Sequence, residues 1–94
     1  MFVQVVHDVI DGPGCNSLAT QLQEQGGPSE PGLTLHTSVT AKDGSKVFCL
    51  WEADSVDAVR AFLDPATQSV LKNTYYAIDA SLPATNLPRA AATP

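Results

Sequence analysis

Asp43-Gly44 lies between two β-like runs, residues 33–41 and 46–53, and this arrangement commits the middle of the chain to a β-hairpin. Asp-Gly accepts the positive φ that a tight hairpin turn needs, and the flanking runs are rich in β-branched and aromatic residues. A two-residue loop sets Lys42 opposite Ser45 and thereby fixes every pair farther out. Counting outward, Val39 faces Phe48, Thr37 faces Leu50 and Leu35 faces Glu52 on one side. Thr40 faces Val47, Ser38 faces Cys49 and His36 faces Trp51 on the other.

The segments on either side complete a repeated pattern. Residues 2–10 form a β-branched run that ends at the turn cluster Asp11-Gly12-Pro13-Gly14, and they are expected as strand 1. From Asn16 or Ser17 the apolar spacing of Leu18, Ala19 and Leu22 predicts a helix that stops at Gly26-Gly27, followed by a loop over 26–32. After the hairpin, Asp54 or Ser55 caps a second helix with Val56, Val59, Phe62 and Leu63 on one face. Asp64-Pro65 is expected to interrupt it, with a further helical turn or two over 66–73. Residues 75–80 read as strand 4, and 81–94, with three prolines and four alanines, read as a flexible tail beyond a domain of residues 1–80.

The order βαββαβ is the ferredoxin-like arrangement, an α+β fold with a four-stranded antiparallel sheet and both helices on one face. The other sheet face then needs polar residues, a partner or a ligand. The row Val39, Phe48, Thr37, Leu50 and Leu35 is the more apolar and is expected beneath the helices. That places His36, Ser38, Thr40, Val47, Cys49 and Trp51 on the uncovered side. An indole normally finds cover, so a face carrying Trp51 beside an imidazole and a thiol is expected to meet a second copy of the chain or to wall a ligand cavity. Tyr75 and Tyr76 must point to opposite faces, so one joins the open side. Strand 1 leaves two choices for that side, Val3, Val5, His7 and Val9 or Gln4, Val6 and Asp8.

Composition narrows the partners. With 10 acidic against 5 basic residues the formal net charge is -5, which argues against nucleic acid or an anionic membrane surface as a partner. No apolar run is long enough for a membrane span and no leader-like start is present, so the expected location is cytoplasmic. Cys15 and Cys49 are too few for a disulfide framework and are not spaced as a zinc knuckle. Cys15, near the start of helix 1, reads as an ordinary small residue. Gly12-Pro13-Gly14 lacks the spacing and the lysine of a phosphate loop, and no cofactor can be named.

The order of elements, with the stretch KVFCLWEADSVDAV over 46–59 and then Phe62-Leu63-Asp64-Pro65, resembles the dimeric α/β-barrel superfamily. The look is closest to small actinobacterial nickel-binding-like proteins of a mostly uncharacterised family. It is more distantly similar to antibiotic-biosynthesis monooxygenases and polyketide cyclases. The resemblance implies a homodimer built sheet to sheet with a site inside the barrel. For the nickel-binding relatives it implies histidines near the end of strand 1 and on strand 2, matched approximately by His7 and His36. Their helical ligands have no counterpart here: helix 1 offers only Glu24 and residues 56–73 hold no histidine. For the enzymes it implies a histidine near 62–67, where this chain has Phe-Leu-Asp-Pro-Ala-Thr.

The expected function is therefore a small homodimeric barrel protein, paired through its open sheet face, that binds a small, partly apolar molecule in an accessory or binding role. The candidate ligand-binding residues are His36, Trp51, Cys49, Ser38, His7, Tyr75 and Tyr76. The alternative is a cofactor-independent monooxygenase or cyclase acting on an aromatic polyketide-like substrate, with a histidine as base and Trp51 stacking on the substrate. A third reading is metal binding through His7 and His36.

Overall fold

The computed structural model describes residues 1–24, 26 and 30–88. Strand β1 (Phe2–Val9) is followed by helix α1 (Gly12–Glu24), strands β2 (Thr34–Thr40) and β3 (Lys46–Glu52), helix α2 (Val56–Thr67) and strand β4 (Leu71–Ala77). The four strands form one sheet in the order β2-β3-β1-β4 with every neighbouring pair antiparallel. This is the ferredoxin-like topology. In each crossover, β1 to β2 and β3 to β4, the strands are parallel with one strand between them. Right-handed connections then place both helices on the same face.

The hairpin keeps the expected pairing near its turn, with Thr40 opposite Val47, Val39 opposite Phe48, Ser38 opposite Cys49 and Thr37 opposite Leu50. Its loop spans four residues, closed by Ala41 N–H donating to Lys46 O at 2.8 Å and Gly44 N–H donating to Ala41 O at 2.8 Å. Gly44 has φ +76°, and the Asp43 carboxylate accepts from Ser45 N–H at 2.9 Å and from its hydroxyl at 2.6 Å. Beyond Thr37 the pairing slips by one residue, so that Leu35 faces Trp51 and Thr34 faces Glu52. His36 is the extra residue of this β-bulge.

The two sheet faces are the reverse of the expectation. Val47, Cys49 and Trp51 lie beneath the helices, and the core contains Val3, Val5, Cys49, Trp51, Ala53, Val59 and Leu63. Phe48, Leu50, Val39 and Thr37 belong to the uncovered face. The hairpin alone could not decide this; β1 does. Val3, Val5 and His7 pair with Trp51, Cys49 and Val47, making one continuous row. The alternate row joins Gln4 to Leu50 and Asp8 to Lys46, and the Asp8 carboxylate and Lys46 ammonium form an exposed ion pair that needs water. The valine row is therefore the one that can be covered.

Helix α1 begins four residues before the expected start, within the glycine-proline cluster. Asp11 serves as its cap, its side chain accepting from Gly14 N–H at 3.0 Å and its carbonyl from Cys15 N–H at 2.8 Å. Proline is tolerated in a first turn because its missing N–H would have no intrahelical acceptor there. Glycine at position 14 lets the helix start lie against the loop before β4: a Cβ there would fall 2.8 Å from Val70 Cγ1. The helix buries no side chain fully.

Helix α2 is capped by Ser55, whose hydroxyl accepts from Ala58 N–H at 3.1 Å. Val59, Leu63 and Thr67 recur four apart as its buried stripe. Contrary to expectation, Pro65 does not interrupt it. Proline removes only the bond to the Ala61 carbonyl, and Ala61 is exposed, so water can take that place. Residues 71–73, expected as helix, instead start β4, where Val9 faces Leu71 and His7 faces Asn73. Pairing along β1 outweighs the weak strand preference of Lys72 and Asn73. Of the expected tail over 81–94, residues 81–88 run as mostly exposed turns and coil, and 89–94 lie outside the described residues. Likewise, positions 27–29 of the expected 26–32 loop lie outside them.

Leu63 tests the assignment of faces. Leu63→Ala is expected to cost about 2–5 kcal/mol of stability, read from the urea midpoint of Trp51 fluorescence. A loss below about 0.5 kcal/mol would contradict burial of this helix face on the sheet.

Candidate functional site

The expected site residues separate into two groups. His36 and Tyr76 stand on the uncovered face. The bulge carries His36 onto the side of Phe2 and Glu52, where its Nε2 lies 2.8 Å from Glu52 Oε1 and its ring packs at 5.2 Å on Phe2, tilted by 47°. The two side chains are 12% and 25% exposed. Tyr76 is opposite Gln4 and half exposed. Around them the face presents Phe2, Val6, Val39 and Phe48, of which Val39 is the most open at 59%, with Leu50 between them buried at 8%.

The other candidates are on the helix side. Trp51 is 2% exposed and meets the Phe62 ring edge-on at 5.9 Å. Its Nε1 is the one buried side-chain nitrogen or oxygen without a hydrogen-bond partner among the described residues. Trp51 therefore cannot stack on a molecule held against the open face. Cys49 is buried and donates from Sγ to Ser38 Oγ at 3.5 Å; burial pushes its thiol above the ordinary range, which disfavours the reactive thiolate. Ser38 shares that face but is exposed on the edge strand. Val47, on the same face, is half-buried.

His7, 3% exposed, belongs to a polar network that the sequence did not reveal. Its Nδ1 is 2.5 Å from Asn73 Oδ1. Asn73 Nδ2 points at Thr67 Oγ1 at 2.8 Å, Asp64 Oδ1 at 3.1 Å and Tyr75 OH at 3.3 Å. The Tyr75 hydroxyl donates to Asp64 Oδ1 at 2.5 Å, and Thr67 donates to Leu63 O at 2.7 Å. With the amide nitrogen of Asn73 committed to these oxygens, its carbonyl accepts from His7, so His7 carries its proton on Nδ1. Burial lowers the His7 pKa, partly offset by the Asn73 bond. The Tyr75 hydroxyl holds Asp64 below the usual carboxylate range, aided by Asn73 and Arg60. Burial, and then Asp64, push the Tyr75 phenol well above its ordinary value. Arg60 sits 5.0 Å over the Tyr75 ring and is paired with Asp57 at 2.8 Å.

His7 and His36 thus lie on opposite faces of the sheet, which overturns a shared metal site within one chain. Among the described residues no three histidine, cysteine or acidic side chains converge as a metal-binding group. A cleft of about 390 Å³ opens between residues 30–33 and α2, lined in part by Leu33, Asp54 and Phe62; none of the expected site residues lines it. No described helix is long and apolar enough to cross a membrane. Comparison with protein-family models, with curated proteins and with solved structures finds no match.

Folding must keep His7 neutral, and this gives a pH dependence. Its pKa in the folded chain is below the ordinary 6.5, so the unfolded chain binds more protons as acid is added. Stability should fall as the pH drops below about 6.5 and level off below the folded value. In urea titrations from about pH 7.5 to 5, His7→Gln should flatten that slope. An unchanged slope would mean that His7 is not the group responsible.

Proposed function

We propose that the chain works as a homodimer whose uncovered sheet faces pack against each other, and that the enclosed space binds a small, partly apolar molecule. The observation that carries this reading is the composition of the uncovered face. Half-buried Val6 and Phe48 run along the central strands beside Leu50, which is 8% exposed already in the single chain, and are flanked by Phe2, Val39 and Tyr76 on the side away from both helices. Val39 and Tyr76 are each more than half exposed in the single chain. A contiguous apolar face of this kind is stabilised by cover, and a second copy offers the same surface in complementary two-fold symmetry.

The polar groups on that face suit a binding site. His36 and Glu52 form a bonded pair beside Phe2, so an enclosed molecule would meet aromatic walls and one oriented polar device. Tyr76 could contribute a hydroxyl from the edge strand. The pair also favours a second reading. A carboxylate-oriented histidine has the chemistry of a general base, as in the cofactor-independent monooxygenases and cyclases that the sequence distantly resembles. In either reading, Trp51 and Cys49 support the sheet from beneath.

Light scattering at micromolar concentration is expected to give the mass of a dimer. Replacing Val39 and Phe48 together by glutamate should yield monomers that remain folded, because both side chains project from the uncovered face. A wild-type monomer would rule the reading out.

A further inference from the structure

We infer that the enclosed site selects molecules bearing a hydrogen-bond donor, a hydroxyl or N–H on an apolar ring, and that Glu52 sets this preference by fixing the tautomer of His36. The inference rests on the dimeric reading above and deepens it. A carboxylate has no proton to give near neutral pH and only accepts. The 2.8 Å contact between Nε2 and Oε1 therefore requires the hydrogen on His36 Nε2. In its neutral form the imidazole has only that one hydrogen, and Nδ1 then presents a lone pair. The tilted packing on Phe2 and the bulge at the strand pairing fix the orientation of the imidazole ring.

No described group bonds to Nδ1, and among the described residues Trp51 Nε1 is the one fully buried side-chain polar atom without a partner. Nδ1 is thus not fully shielded from water in the single chain, where the His36 side chain is 12% exposed. When a second sheet covers the face, Nδ1 leaves bulk water, and an acceptor buried without a donor is destabilising. A molecule that donates to Nδ1 removes that cost; one of the same shape without a donor does not. This is how a site built around a hydrogen bond rejects the analogue that lacks it. Two such acceptors, one per chain, would face the interior.

The contrast is tested with 2-naphthol and 2-methoxynaphthalene, which share a ring system and differ in the donor. Nitrogen-15 spectra of His36 in the free dimer should show the Nε2–H tautomer. Naphthol should perturb those signals saturably and bind at least about tenfold more tightly than its methyl ether, a preference worth one hydrogen bond. His36→Phe should erase the preference, and the tautomer in the wild-type protein needs no variant. An Nδ1–H tautomer, an imidazolium protonated on both nitrogens, equal affinities or no saturable binding of either probe would overturn the selectivity. These results in a dimer leave the oligomeric reading standing, whereas a monomer by light scattering overturns that reading itself.

Discussion

The pairing of β1 with β3 decides almost everything else in this fold. These are the two central strands, and their register sets Val3 against Trp51 and Val5 against Cys49. With Val59 and Leu63 from α2, these side chains form the core that covers one face of the sheet. Burial of such apolar groups is the main favourable term in folding, at roughly 25 cal/mol per Å² removed from water. The alternate row holds the Asp8 and Lys46 ion pair, whose desolvation would be costly. Once that row is excluded from the core, the aromatic and aliphatic residues that share it are left on the uncovered side.

A single extra residue in β2 then gives that side its chemistry. Without the slip at His36, the imidazole would have faced Trp51 on the helix side. The bulge turns it toward Phe2 and Glu52, and the Nε2 bond to the carboxylate holds it there. Bulges redirect side chains in this way because the extra residue breaks the two-residue alternation of the strand. Glu52 gains its role from the same shift, which places Thr34 instead of Leu35 across from it.

Beneath the sheet, the C-terminal half of α2 is joined to β1 and β4 by hydrogen bonds as well as by apolar packing. His7, Asn73, Asp64, Thr67 and Tyr75 satisfy one another across three elements. Such a network tolerates little rearrangement, since losing one member leaves a buried polar group unpaired. It also occupies His7, which separates the two histidines of the chain into different tasks.

Local chemistry made the order of elements, the hairpin and a cap at Asp54 or Ser55 legible in the residues, and the structure selects Ser55. The Asp-Gly turn, the β-branched runs and the glycine stops act over a few positions and need no distant partner. The pairing of residues 37–40 with 47–50 follows from the same turn. The helix-side face, the bulge, the passage of α2 through Pro65 and the strand character of residues 71–73 all depend on contacts with β1, which is remote in sequence. The hairpin by itself favours the opposite inside, because Val39, Phe48, Leu50 and Leu35 make that row the more apolar. Only the neighbouring strand, by presenting valines on one row and charges on the other, supplied the free-energy difference that put Trp51 in the core and His36 on the uncovered face.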